Sequence, residues 1–184
     1  MTISARRFFA RFALFAFLLP ACAAVHAGPA RQAPPAVWTG VVSRVSDGDT
    51  LWVRPGEANQ RPRKLRLYGI DAPESCQVGG PQARQALIAL AHGQRVRVRS
   101  LARDRWGRSV VVLEVNGRDA AAQLVAQGWA WSYGRHRRDA GPYAAEQAAA
   151  QRARRGLFAD PAPQRPADFR RQHGPCPLPA ARPR

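Results

Sequence analysis

Val37 to Val45 is dense in β-branched and aromatic residues, which predicts a first strand. Asp47-Gly48-Asp49 signals a turn, and Thr50 to Val53 begins a second strand. Pro55-Gly56-Glu57-Ala58-Asn59 supplies the next turn. From Lys64 to Ile70, Leu65, Leu67 and Gly69 alternate with Arg66, Tyr68 and Ile70, a third strand with both faces partly apolar. Pro81 to Ala91 reads as a helix, with Pro in its first turn and Gly93 beyond its end. Gln94 to Leu101 alternates Arg95, Arg97 and Arg99 with Val96 and Val98, a strand with one basic face. Ser109 to Val115 is a further strand, closed by Asn116-Gly117. Asp119 to Gln127 is an amphipathic helix ending at Gly128, and Gly141-Pro142 opens a last helix that runs to about Arg155. Pro and Arg dominate from Asp160 onward, and no element is assigned there. The pattern is α+β, and five short strands suit a small barrel that binds nucleic acid along one face.

The first 27 residues have a different character. Arg6, Arg7 and Arg11 precede an uncharged apolar run from Phe12 to Leu19, and Val25-His26-Ala27 offers a cleavage site before Gly28. The run is too short for a stable membrane span. It predicts an export signal, and with it a mature protein in the periplasm or secreted. Leu19-Pro20-Ala21-Cys22 also resembles a lipoprotein cleavage box, with Pro20 a poor fit, so an anchor at Cys22 stays open. Arg6-Arg7-Phe8-Phe9 loosely resembles a twin-arginine signal. Residues 28–35 read as a linker, 36–160 as a single domain and 161–184 as a Pro/Arg-rich tail. With Cys22 gone or lipidated, Cys76 and Cys176 form an even pair in an oxidising compartment. A disulfide between them would close a loop of roughly 100 residues and contribute up to about 4–5 kcal/mol. Two free thiols are the other reading.

The formal net charge is +17, from 29 Lys and Arg against 12 Asp and Glu, and Lys64 is the one lysine. Polyanions are the natural partners, nucleic acid first and an anionic membrane surface second. A composition rich in Arg, Ala and Pro gives the same total, so charge alone selects nothing.

The carboxylates and arginines are more specific. Asp47 and Asp49 share a turn, Asp71 and Glu74 flank a Pro-stiffened loop after the strand carrying Arg66, and Arg108 ends the turn Asp104-Arg105-Trp106-Gly107-Arg108. Cutting a phosphodiester needs a base for water and cations for the phosphoryl oxygens. Carboxylate oxygens select calcium or magnesium over zinc, and no His or Cys cluster competes. Two arginines can each grip a phosphate through two N–H groups. Each piece taken singly is weak, since Asp-Gly-Asp is more often an ordinary turn.

Their order is the stronger signal. Asp47-Gly48-Asp49-Thr50, then Leu65-Arg66-Leu67-Tyr68-Gly69-Ile70-Asp71-Ala72-Pro73-Glu74, then Asp104 to Arg108 resembles the staphylococcal nuclease (thermonuclease) family. Leu124 to Ala130 and the Ala-rich helix ending at Gly156-Leu157-Phe158 are similar to its C-terminal part, so the resemblance spans about 36–160. It implies a five-stranded OB-type β-barrel with three helices. It implies calcium held by Asp49, Asp71 and the Ala72 carbonyl, where the family commonly has Thr. It implies Glu74 activating water, Arg66 and Arg108 holding the attacked phosphate, and products with a 3′-phosphate and a 5′-hydroxyl. DNA and RNA are the expected substrates, with single-stranded regions preferred, and a monomer is the expected state.

Trp106 stands where the family often has Tyr, and Tyr133 lies near a second aromatic position. Either can stack on a base or cover the barrel rim, and Arg105 can contact a terminal phosphate or stay a solvated turn charge. His92 reads as a helix end, and His136 and His173 as surface residues. The rival from another class is a non-catalytic nucleic-acid-binding barrel. A basic adhesion or lipid-binding protein leaves the ordered motifs unexplained.

Overall fold

Alternate burial along the strands sets the architecture, because one face of each long strand must leave water. The computed structural model describes residues 36–56, 60–134 and 139–177. The export segment with Cys22 and His26, the linker, and His136 lie outside the described residues, as do residues 57–59 of the turn expected after Pro55. Strand β1 (Val37–Val45) pairs antiparallel with β2 (Thr50–Pro55), and β2 with β3 (Arg63–Leu67). On its other side β1 pairs with β5 (Arg95–Arg103), which pairs with β6 (Ser109–Val115). A parallel pairing of β3 with β6 closes these five strands into a barrel. The α+β class and the five-stranded barrel expected from the sequence are therefore what the chain forms.

Val42, Val53, Leu65, Leu67, Val96, Val98, Val111 and Leu113 fill the barrel, all essentially inaccessible to water. Helix α1 (Gly80–Ala91) and helix α2 (Ala120–Ala126) cover its ends with Leu87 and Leu124. Asp119 caps α2 by accepting from the Ala121 and Ala122 amides, and the Tyr143 hydroxyl donates to its second oxygen at 2.8 Å. The short β7 (Arg118–Asp119) turns back and pairs antiparallel with the end of β6. Helix α3 (Ala144–Arg152) and the 3-10 turn Gly156–Ala159 gather a smaller cluster of Trp131, Ala150 and Phe158.

Two sequence expectations need correction. The strand read from Lys64 to Ile70 breaks after Leu67, and Ile70–Asp71 forms a separate short β4 paired with β8 (Trp131–Ser132). Gly69 is the cause: its φ of 74° is a left-handed turn, and Pro142 packs where a side chain would stand. The helix count is also higher than three. A fourth helix, α4 (Pro166–His173), lies in the tail to which no element was assigned. Pro166 starts it and is buried, and Asp168 in its first turn with Arg170, Arg171 and His173 in its last complements the helix dipole.

Candidate active site

The break at Gly69 turns the chain so that Asp71 and Glu74 face the residues before β2. Gly48 permits the close approach of α1 and the loop, since a side chain there would meet the Cβ atoms of Ala72 at 2.7 Å and Ala83 at 2.8 Å. Asp49 is thereby fixed from several sides. Its Oδ1 accepts from the Thr50 hydroxyl at 2.9 Å and from Arg66 Nη1 at 2.8 Å, and its Oδ2 from the Ala72 amide at 3.2 Å. Arg66 Nη2 donates to Asp71 Oδ1 at 3.2 Å and to the Ile70 carbonyl at 3.5 Å. One guanidinium thus holds two nearly buried carboxylates side by side.

Negative charge is crowded here. Burial, with the charge of Asp49 next, pushes the Asp47 carboxyl up to about 7. Burial also raises Asp71, against the lowering pull of Arg170 and Arg66. For Arg66, burial works against the charged form, but Asp49 and Asp71 outweigh it and hold the guanidinium protonated. Hard oxygen donors in excess of their cationic partners suit a divalent cation of the calcium type. No cluster of three or more His, Cys, Asp and Glu side chains arranged to hold a metal occurs among the described residues. Asp49 and Asp71, drawn together by Arg66, are the two carboxylates such a cation would use.

The opposite bank is the β5–β6 turn. Asp104 organises it by accepting from the Trp106 and Arg108 amides, both at 2.9 Å, and from Arg108 Nε at 2.6 Å. Burial works to raise the Asp104 carboxyl, but the bonds from the Arg108 side chain and the two amides outweigh it and hold it below its usual range. Arg108 keeps its two terminal nitrogens without a partner among the described residues. Trp106 is 65% exposed, with the Arg105 guanidinium 4.0 Å and the Arg108 guanidinium 5.0 Å from its ring. Tyr133 is half exposed beside Gly69, to whose carbonyl its amide donates at 2.8 Å.

Asp49, Arg66, Asp71, Ala72, Glu74, Arg105, Trp106, Arg108 and Tyr133 all line one open cleft. Sequence reading singled out all nine. It missed Tyr68, half exposed in the same cleft, and Arg170, which α4 delivers to Asp71 and Glu74. Cys76 and Cys176 are joined by a disulfide, with Cα atoms 5.7 Å apart. His92 is the C-cap of α1, and His173 stacks beside Phe169 at 4.7 Å, away from the cleft.

Known proteins place this architecture. The family model described as "Staphylococcal nuclease homologue" matches residues 64–160. The micrococcal nuclease of Shigella flexneri is 37% identical over 143 residues, covering 72% of this chain and 80% of that protein. Protein ParB of Escherichia coli is 36% identical over 143 residues, with 72% and 79% covered. An uncharacterized endonuclease of Haemophilus influenzae is 34% identical over 131 residues, with 71% and 72% covered. Barrel closure, the cleft and these matches agree: the chain belongs to the staphylococcal nuclease family.

Proposed function

We propose that this chain is an exported, calcium-dependent phosphodiesterase that cuts DNA and RNA and leaves 3′-phosphate products. The convergence of Asp49, Arg66, Asp71, Glu74 and Arg108 on one cleft carries the reading. Asp49, Asp71 and the Ala72 carbonyl are the groups that would hold calcium, which when bound offsets charge on the phosphoryl oxygens. Glu74 has a partly exposed carboxylate (29% of the side chain) and takes a proton from the attacking water. Arg66 has five N–H donors, of which one on Nη1 and two on Nη2 serve Asp49, Asp71 and Ile70. Its Nε–H and the second N–H of Nη1 are offered to a phosphate. Arg108 offers its terminal nitrogens to the same phosphate from the other bank.

Arginine contacts to phosphate carry no base information, so DNA and RNA both fit. Trp106, Tyr68 and Tyr133 offer rings to unstacked bases, which favours single strands. One chain supplies every group named, so a monomer suffices. The signal-like residues 1–27 and the Cys76–Cys176 bond both support action outside the cytoplasm.

The test is digestion of denatured DNA with calcium, with chelator, and by Glu74→Gln. Chelation should stop cleavage, and Glu74→Gln should slow it about 100-fold to 10,000-fold while still binding DNA. Cleavage indifferent to both changes would overturn the mechanism. Wild-type protein that retards DNA without cutting it would identify a binding module instead.

A further inference from the structure

Arg170 reaches the carboxylates from 99 residues beyond Asp71. Its Nη1 donates to Asp71 Oδ1 at 3.1 Å and to Glu74 Oε1 at 2.7 Å, and its Nη2 to Asp71 Oδ2 at 2.9 Å. A single guanidinium therefore engages both oxygens of Asp71 and one of Glu74. Paired, charge-assisted contacts of this kind are among the strongest hydrogen bonds a side chain makes. Burial disfavours the charged guanidinium, but Asp71 and Glu74 more than compensate.

The helix that carries Arg170 is fastened on both sides. Before it, the Gln77 side-chain Nε2 donates to the Gln164 carbonyl at 2.7 Å. After it, Cys176 is bonded to Cys76, two residues past Glu74. Gln77 itself accepts from the Glu74 amide at 3.2 Å and is almost wholly buried. One short segment, Glu74 to Gln77, thus carries a carboxylate of the cleft and both anchors of α4.

We propose that Arg170 is an internal cation of the site, competing with calcium for Asp71 and so setting how tightly the protein holds the ion. The inference rests on the calcium reading above. A guanidinium forked across both Asp71 oxygens and a divalent ion on the same carboxylate repel at close range. Arg66 touches Asp71 through Oδ1 alone, whereas Arg170 covers both oxygens, so an ion on Asp71 Oδ2 requires Arg170 to withdraw. The tethered helix keeps it nearby at high effective concentration, ready to return. Arg171, next along α4, pairs with Asp168 of its own helix at 2.5 Å and takes no part.

Competition of this type lowers apparent affinity by the fraction of time the site is free. With Arg170 docked for about nine-tenths of the time, apparent calcium affinity falls about tenfold. The experiment is a calorimetric titration of the full chain with calcium chloride alone, without nucleic acid. Arg170→Ala should bind calcium about tenfold more tightly than the wild type. Arg171→Ala removes the same charge and should bind as the wild type does. The double variant Cys76→Ser/Cys176→Ser, whose helix keeps only the Gln77–Gln164 anchor, should fall between wild type and Arg170→Ala. Wild-type binding with no gain in Arg170→Ala would overturn this inference and leave the calcium reading standing. An equal gain in Arg171→Ala would also overturn it, since the effect would then be general charge. Absence of calcium binding in both wild type and Arg170→Ala would remove both readings.

Discussion

The two banks of the cleft use the same side chain in opposite ways. On the inner bank Arg66 lies between Asp49 and Asp71, whose side chains are 6% and 5% exposed. On the outer bank Arg108 hangs from Asp104 by Nε, beside a Trp106 that is mostly in water. The inner arginine neutralises carboxylates that folding has already buried, so it belongs to the electrostatic balance of the fold. The outer arginine belongs to a turn whose Asp104 still accepts two backbone amides without it. Two groups proposed to grip one phosphate thus differ in what the protein loses when each is removed.

The sharpest way to break that contrast is Arg66→Met. Removing one partner of a buried ion pair leaves charge without compensation and costs about 3–5 kcal/mol. Urea denaturation in chelator should show that loss as a lower midpoint with an unchanged slope. Calcium should restore part of the stability, because it binds only the folded carboxylates. Cleavage should fall by at least about 100-fold. An unchanged midpoint would place Arg66 outside the balance just described.

Arg108→Ala is the counterpart. Cleavage should fall about 100-fold to 1,000-fold, as when a donor to a developing oxyanion is removed. Stability should fall by less than in Arg66→Met, because one ion pair rather than two is lost and Asp104 keeps both backbone donors. Arg108→Lys should recover little, since an ammonium cannot keep the Asp104 bond and also grip a phosphate at two points. A variant that loses activity and stability in the same measure as Arg66→Met would erase the distinction between the banks.

The inner bank was also the more legible in the sequence, and the reason is local. Arg66, Asp71 and Glu74 fall within nine residues, on a strand and the loop after it, so their order survives as a motif. The barrel was legible because β1 and β6 bury alternate residues along runs long enough for the alternation to register. The break at Gly69 was hidden, since Leu65 to Ile70 continues the alternation through it. Helix α4 was harder still. Its eight residues carry few apolar side chains, and neither a helical stripe nor a core position marks it. Two signals pointed there: Pro166 followed by an acidic then a basic turn, and the candidate Cys76–Cys176 bridge. A bridge at Cys176 confines the residues before it to the neighbourhood of Glu74, so Arg170 could have been expected near the carboxylates.

The smallest effect should come from Trp106→Ala, and it tests what the outer bank does besides hold a phosphate. The ring is exposed and takes no part in the barrel core, so thermal stability should not move. If it stacks on a base, its loss removes about 1–3 kcal/mol of binding. KM for a single-stranded substrate should then rise about tenfold, the lower part of that range, with kcat unchanged. The opposite split has an equally definite meaning. Arg105 and Arg108 both lie over the same ring, so a ring that braces them is coupled to the phosphate through Arg108. A fall in kcat at constant KM would make Trp106 a support for Arg108 rather than a platform for a base. Asp104 argues for the first outcome, because its bond to Nε already fixes Arg108 when the ring is gone.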